Sequence, residues 1–246
     1  MPIIDFHAHI LPGADHGSRH TATSLAQLEL IRQGGTDAVV ATPHFYPDQD
    51  NPDRFIARRA AAAERLVSRR GSEFPRVYLG AEVAVCPFLD RMEREELQAL
   101  CVEGTDVMLL EMPTRDWDST LLATVRAIRK QGFTVVLAHI DRYPFRDVEK
   151  LLSDGFLAQI NASALFRLFG ASRYAELLAN EQIVALGSDL HGDSPKGYRA
   201  FSRLRQKYPL ADAVFARTAR LIAGAEPLTG AQCPCLLYTS DAADDS

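Results

Sequence analysis

Short apolar runs recur along the chain, each ending on a polar residue and each followed by a stretch with helical spacing. Ile3–Phe6, Ala38–Ala41, Val77–Leu79, Val107–Leu110, Val135–Ala138, Leu157–Ile160 and Ile183–Leu186 are seven such runs. They read as strands buried on both faces. Between them lie helical patterns. One is expected to start near Thr23 or Ser24, either of which would cap it. Leu25, Leu28 and Ile31 share its face, and Gly34-Gly35 stops it. Phe55–Ser68 reads as an arginine- and alanine-rich helix, and Leu121–Gln131 as another, stopped by Gly132. Strands alternating with helices predict a parallel sheet with helical crossovers. Polar residues follow almost every run, which favours a closed barrel. A barrel collects its functional groups at the C-terminal ends of strands, whereas an open sheet uses one switch point. The expected fold is a single-domain α/β protein, a distorted TIM-like (β/α)7 barrel.

Composition narrows this picture without redirecting it. At 246 residues, 47% apolar and 24% charged, the chain has the size of one barrel and an ordinary globular make-up. A net charge of −5 argues against a nucleic-acid partner. No run approaches the length of a membrane span and the N-terminus lacks signal-peptide features, so no membrane insertion and a cytoplasmic location are expected. Four cysteines make no disulfide framework; Cys86 and Cys101 read as small core residues. Cys233-Pro234-Cys235 lies in a doubtful tail. Cys235–Asp244 reads as a translated sequencing adaptor, so residues 235–246 are expected to be a non-native, disordered segment and the native end to be lost.

Six of the seven histidines (His7, His9, His16, His44, His139 and His191) fall at or just beyond a run's end; His20 does not and reads as a surface residue. His7 and His9 stand two apart, so on extended backbone both rings face one way, and Asp189 and His191 repeat that spacing. Glu82, Glu111 and His139 follow the third, fourth and fifth runs. Crowding so many imidazoles and carboxylates into one mouth carries a large desolvation cost, which divalent cations would remove. A multinuclear metal site is therefore expected.

The blocks His7-Ala8-His9-Ile10-Leu11-Pro12-Gly13-Ala14-Asp15-His16-Gly17, Ala41-Thr42-Pro43-His44, Gly80-Ala81-Glu82, Leu110-Glu111-Met112-Pro113, Ala138-His139-Ile140-Asp141-Arg142-Tyr143 and Ser188-Asp189-Leu190-His191 carry a resemblance. In order and content they resemble the PHP (polymerase and histidinol phosphatase) superfamily. In particular they look like the CpsB/CapC-like metal-dependent protein-tyrosine phosphatases of capsule and exopolysaccharide operons. The similarity runs from about Pro2 to Leu228 and implies one PHP-type metallophosphoesterase domain over residues 1–230.

The resemblance implies three divalent metal ions. His7, His9, Glu82 and Asp189 would hold the first; Glu82, Glu111 and His139 the second; His16, His44 and His191 the third. The phosphatase group usually has Asp-Asp-Gly where this chain has Asp15-His16-Gly17, so Asp15 is the alternative ligand to His16. An all-imidazole third site leaves manganese, zinc and iron open. Arg142 matches an arginine that grips phosphate, its alternative being a structural bridge to Asp141 or Asp147. Lys196 stands where a second phosphate-gripping arginine is usual, its alternative being a solvated lysine. The implied substrate is a phosphotyrosine protein, the tail of a bacterial tyrosine kinase. A small phosphoester such as histidinol phosphate, or a non-catalytic metal-binding barrel, is the alternative. Asn161 is expected to orient a water or a loop, and Trp117 to pack beside the mouth. Arg54, Arg58, Arg59, Arg69 and Arg70 are expected to form a solvated helix face.

Overall fold

A computed structural model describes residues 1–114 and 117–229. The Cys233-Pro234-Cys235 motif and the 235–246 tail lie outside the described residues. The strands are β1 (Ile4–Ala8), β2 (Ala38–Ala41), β3 (His44–Phe45), β4 (Arg76–Leu79), β5 (Glu82–Ala84), β6 (Val107–Glu111), β7 (Thr134–Leu137), β8 (Leu157–Asn161) and β9 (Ile183–Gly187). The helices are α1 (Thr21–Gln33), α2 (Pro52–Val67), α3 (Arg94–Ala99), α4 (Ser119–Lys130), α5 (Phe145–Ser153), α6 (Ala171–Leu177), α7 (Pro195–Ser202), α8 (Leu204–Lys207) and α9 (Ala211–Leu221). All seven expected runs contain a strand. The other two strands, β3 and β5, resume the lines of β2 and β4 after the short breaks Thr42-Pro43 and Gly80-Ala81.

All strand pairing is parallel, in sheets of order β1-β2-β4 and β3-β5-β6-β7-β8-β9. An isolated parallel bridge joins Ala8, the end of β1, to Leu190, just past β9. The core is apolar on both sides of the strands. Ile4, Phe6, Val40, Leu109 and Val136 belong to one buried cluster, while Val39, Leu110, Leu137, Phe55 and Val125 belong to a larger one that includes helix faces. The chain is thus a single-domain α/β fold of parallel sheets.

Helix starts differ from the sequence expectation for local reasons. Helix α1 begins at Thr21, and neither Thr23 nor Ser24 caps it. Ser24 is buried inside the first turn, where its Oγ lies 2.7 Å from Ser18 Oγ. Helix α2 begins earlier than Phe55, because Asn51 Oδ1 accepts from the Arg54 N–H at 3.2 Å and Pro52 occupies the first turn. Asp118 does the same for α4, accepting from Leu121 N at 2.8 Å. The arginine face of α2 is only partly solvated. Arg59 is buried and donates to the carbonyls of Gly80 at 3.0 Å and Ala99 at 2.9 Å, tying α2 to the break before β5 and to the end of α3. Cys101 is buried and Cys86 half-buried against the core, both as free thiols.

Candidate metal centre

Three strand ends and their register bring the chemistry together. In the β3–β5 pair His44 stands opposite Glu82, and in the β5–β6 pair Ala84 stands opposite Glu111. The segment after β9 is tied to β1 by Asp189 N donating to His7 O at 2.7 Å and His9 N donating to Leu190 O at 3.1 Å. Those two bonds set Asp189 beside His7 and His9. His139 and Asp189 both adopt positive φ, +27° and +54°. Such backbone costs about 1–3 kcal/mol per residue, and here it falls on two residues that face the cluster.

Glu82 is the hub. Its Oε2 lies 3.1 Å from His7 Nε2, 3.3 Å from His9 Nε2 and 3.0 Å from His44 Nδ1, and its Oε1 lies 2.7 Å from His139 Nε2. Glu111 approaches His139 Nε2 at 3.4 Å and His44 Nδ1 at 3.8 Å. Asp189 Oδ1 lies 3.8 Å from His7 Nε2, 3.5 Å from His9 Nε2 and 3.3 Å from His191 Nδ1. Three groups of ligand atoms are close enough to share a cation: His7, His9 and Glu82; His44, Glu82 and Glu111; and His9, His44 and His191. His16 stands exposed at the rim, its ring 4.8 Å from that of His191 and 5.0 Å from that of His44. The structure therefore brings all nine expected metal ligands into one cluster or onto its rim.

Two observations test whether these residues fit metal ions. His44 Nδ1, Glu82 Oε2 and His139 Nδ1 are buried without a hydrogen bond, although the first two lie 3.0 Å apart. The separation is that of an ion pair but lacks hydrogen-bond geometry, so all three atoms are left for another partner. Second, His7 Nε2 and His9 Nε2 face each other at 3.1 Å. Asp15 Oδ2 sits 2.7 Å from His9 Nδ1, and a carboxylate only accepts, so His9 donates there and turns Nε2 toward the cluster. The electrostatics agree. Despite burial, contacts with the His7, His139 and His44 imidazoles hold Glu82 well below the usual carboxylate range. Burial likewise opposes charge on His139, yet hydrogen bonds to Glu111 and Glu82 lift it to about 9. A setting that favours a proton on the buried His139 favours positive charge there. The residues fit divalent cations.

Arg142 follows His139 by three residues in a 3-10 turn, with its side chain 42% exposed and paired to Asp189 Oδ2. The alternative bridges are not made: Asp141 pairs with Arg167 at 2.7 Å and Asp147 with Lys150 at 3.3 Å. Lys196 is exposed in the first turn of α7, with no hydrogen bond or ion pair among the described residues. Trp117 donates to Pro113 O at 2.6 Å and packs edge-on to Tyr143. His20 is exposed, at the cap of α1.

Gln159 and Asp5 were not singled out in the sequence, and Asn161 and Asp15 were given other roles there. Gln159, fully buried on β8, has Oε1 3.2 Å from His7 Nδ1 and accepts from His139 N at 2.6 Å. Asn161 reaches the cluster itself, donating to Asp189 Oδ2 at 3.1 Å. Asp5 Oδ1 accepts from Ser188 N at 2.8 Å and His7 N at 3.3 Å, and burial pushes its carboxyl up to about 7. Asp15 accepts from His9 and from the backbone of His44 and Gly17, contacts that hold these three residues around it. The available signal for Gln159 and Asp5 was a polar residue inside an otherwise apolar run.

A curated relative, the tyrosine-protein phosphatase YwqE of Bacillus subtilis (strain 168), is 24% identical over 209 residues, covering 80% of each chain. Among solved structures, a chain from a study of YwqE from Bacillus subtilis and CpsB from Streptococcus pneumoniae, described as metal-dependent tyrosine phosphatases, superposes with a TM-score of 0.72 at 19% identity. That match covers 94% of this chain and all of the other. The lactonase Lmo2620 from Listeria monocytogenes shares the fold more distantly, with a TM-score of 0.53 at 11% identity over 92% of this chain and 95% of its own. Residues 3–213 match the family described as capsular polysaccharide synthesis, CpsB/CapC, and the chain belongs to that family.

Proposed function

We propose that the protein is a metal-dependent phosphoric monoester hydrolase acting as a protein-tyrosine phosphatase, with the phosphotyrosyl tail of a bacterial tyrosine kinase of polysaccharide synthesis as its cytoplasmic substrate. The observation that carries this reading is Glu82, a buried carboxylate ringed by four imidazoles at 2.7–3.3 Å, one of whose oxygens has no hydrogen bond. Family membership and the similarity to YwqE support the substrate class.

In this reading His7, His9, Glu82 and Asp189 would hold one divalent ion, Glu82, Glu111 and His139 a second, and His16, His44 and His191 a third, the metal being manganese, zinc or iron. Glu82 belongs to two of the ligand groups, His44 joins Glu82 and Glu111 in one, and His9 joins His44 and His191 in another. Bound divalent cations neutralise phosphoryl oxygens and acidify water. The Arg142 guanidinium, at the rim and already on Asp189, turns a free arm to the phosphate and adds a charge-assisted contact. Lys196 contributes a second, unforked positive charge. Asp15 and Gln159 keep His9 and His7 aimed inward. A tyrosyl leaving group has a conjugate acid of pKa about 10, so little protonation is demanded of the protein and no general acid is assigned. We also read the two sheets as one interrupted seven-stranded barrel spanning residues 1–230, since each break is two residues long and the Ala8–Leu190 bridge links its first and last lines.

The test is turnover by metal-loaded protein of a phosphotyrosyl peptide, para-nitrophenyl phosphate and histidinol phosphate. A preference for the peptide is expected. Selective hydrolysis of histidinol phosphate would move the assignment to a small-molecule phosphatase, and no turnover of any ester would leave only a metal-binding barrel.

A further inference from the structure

We propose that the Gln159 side-chain amide, relayed through Asn161, is a positioning group that dictates which nitrogen of His7 faces the metal centre and holds His139 and Asp189 in place around it. The proposal rests on the metal-centre reading.

A backbone N–H can only donate, and that of His139 lies 2.6 Å from one terminal atom of Gln159. That atom must be the amide oxygen. The same oxygen lies 3.2 Å from His7 Nδ1, which must therefore carry a proton. In the neutral imidazole Nε2 is then the bare nitrogen, and Nε2 is the atom 3.1 Å from Glu82 Oε2. An atom with no freedom thus selects the tautomer of a ligand on another strand. With the oxygen assigned, Gln159 Nε2 donates to Asn161 Oδ1 at 2.9 Å, which in turn orients the Asn161 amide. Asn161 Nδ2 donates to Asp189 Oδ2 at 3.1 Å, leaving Asp189 Oδ1 toward His9 and His191.

Two backbone features fit this role. His139 sits at φ +27°, a conformation in which its N–H anchor helps decide where the ring points. At Gly187 a Cβ would stand 2.7 Å from Gln159 Nε2 and 2.6 Å from His7 Cβ, so the absence of a side chain there leaves room for the pair. Outer contacts of this kind fix tautomer and ring direction in metal sites.

The experiment titrates Mn2+ into metal-stripped wild type, Gln159→Met and Gln159→Glu by calorimetry, with circular dichroism checking the fold. Methionine keeps the volume and removes the acceptor, so Mn2+ should bind about 10–100-fold more weakly, the usual effect of losing an outer contact. Glutamate keeps an acceptor oxygen, and its protonated oxygen replaces the donor to Asn161, so most of the affinity should return. Wild-type affinity in folded Gln159→Met, or equal weakness in both variants, overturns the proposal. Should Gln159→Met fail to fold, 15N NMR of zinc-loaded wild type decides. His7 is expected to coordinate through Nε2 with a proton on Nδ1, and coordination through Nδ1 overturns the assignment. No turnover is measured, so an error in the substrate leaves the test intact, whereas a wild type that binds no Mn2+ removes the centre and the proposal together.

Discussion

Replacing Arg142 by alanine separates phosphate recognition from stability, because among the described residues its side chain has one ion-pair partner and a half-open setting. Its ion pair with Asp189 Oδ2 joins a guanidinium 42% exposed to a buried carboxylate, so only the guanidinium half is screened as in exposed pairs, which contribute about 0–1 kcal/mol. Asp189 Oδ2 also keeps its bond from Asn161 at 3.1 Å, so the carboxylate is not abandoned. The fold should therefore lose little. Binding of a phosphoester should lose more. With one arm on Asp189 and another on phosphate, the missing contact is one charge-assisted hydrogen bond, about 1.5–3 kcal/mol. At about 1.4 kcal/mol per tenfold, that is roughly a 10- to 150-fold loss of affinity. The assay is steady-state kinetics on a phosphotyrosyl peptide, joined to thermal unfolding. KM should rise by that factor with a smaller change in kcat, and Tm should stay close to wild type. An unchanged KM would remove Arg142 from the substrate site. A large fall in Tm with an unchanged KM would make it a structural residue.

His139→Ala should abolish turnover while leaving the circular dichroism of the fold intact; wild-type rates in that variant would contradict the assigned centre. Asp15→Ala frees His9 Nδ1, held at 2.7 Å in the wild type, and should weaken metal binding about 10–100-fold by calorimetry; unchanged affinity would deny Asp15 its supporting role. Gly17→Ala would set a Cβ 2.1 Å from His9 Cβ, so calorimetric unfolding should show a loss of about 1–3 kcal/mol, or roughly 2–12 °C in Tm. Metal at about a hundred times its Kd should add about 2.7 kcal/mol, roughly 5–10 °C, and removal by a chelator should reverse it; identical melting with and without metal would argue against a specific site.

The clustered side chains were legible in the sequence because the fold puts them where strands end. His139 directly follows the fifth apolar run, Glu111 the fourth and Asp189 closely follows the seventh, so their convergence followed from strand–helix alternation alone. The breaks after β2 and β4 were not legible. Thr42-Pro43 and Gly80-Ala81 interrupt the pairing for two residues, and β3 and β5 are too short to leave a period of their own. Helix starts were read late because the caps, Asn51 and Asp118, lie outside the apolar pattern that announces the helix. Arg59 shows a further limit. Its pattern matched the exposed Arg54 and half-buried Arg58 near it, and the carbonyls of Gly80 and Ala99, distant in sequence, make its burial tolerable. Gln159 and Asp5 were hidden for a related reason: each sits within a strand, and its partners are set by cross-strand register, which no local pattern encodes.

The most direct test of the account is anomalous diffraction from crystals grown in excess Zn2+ or Mn2+, collected at the metal's absorption edge. Strong peaks are expected, seated among Glu82, the imidazoles of His7, His9, His44, His139 and His191, and the carboxylates of Glu111 and Asp189. A metal-replete crystal with no anomalous density between those side chains would contradict it.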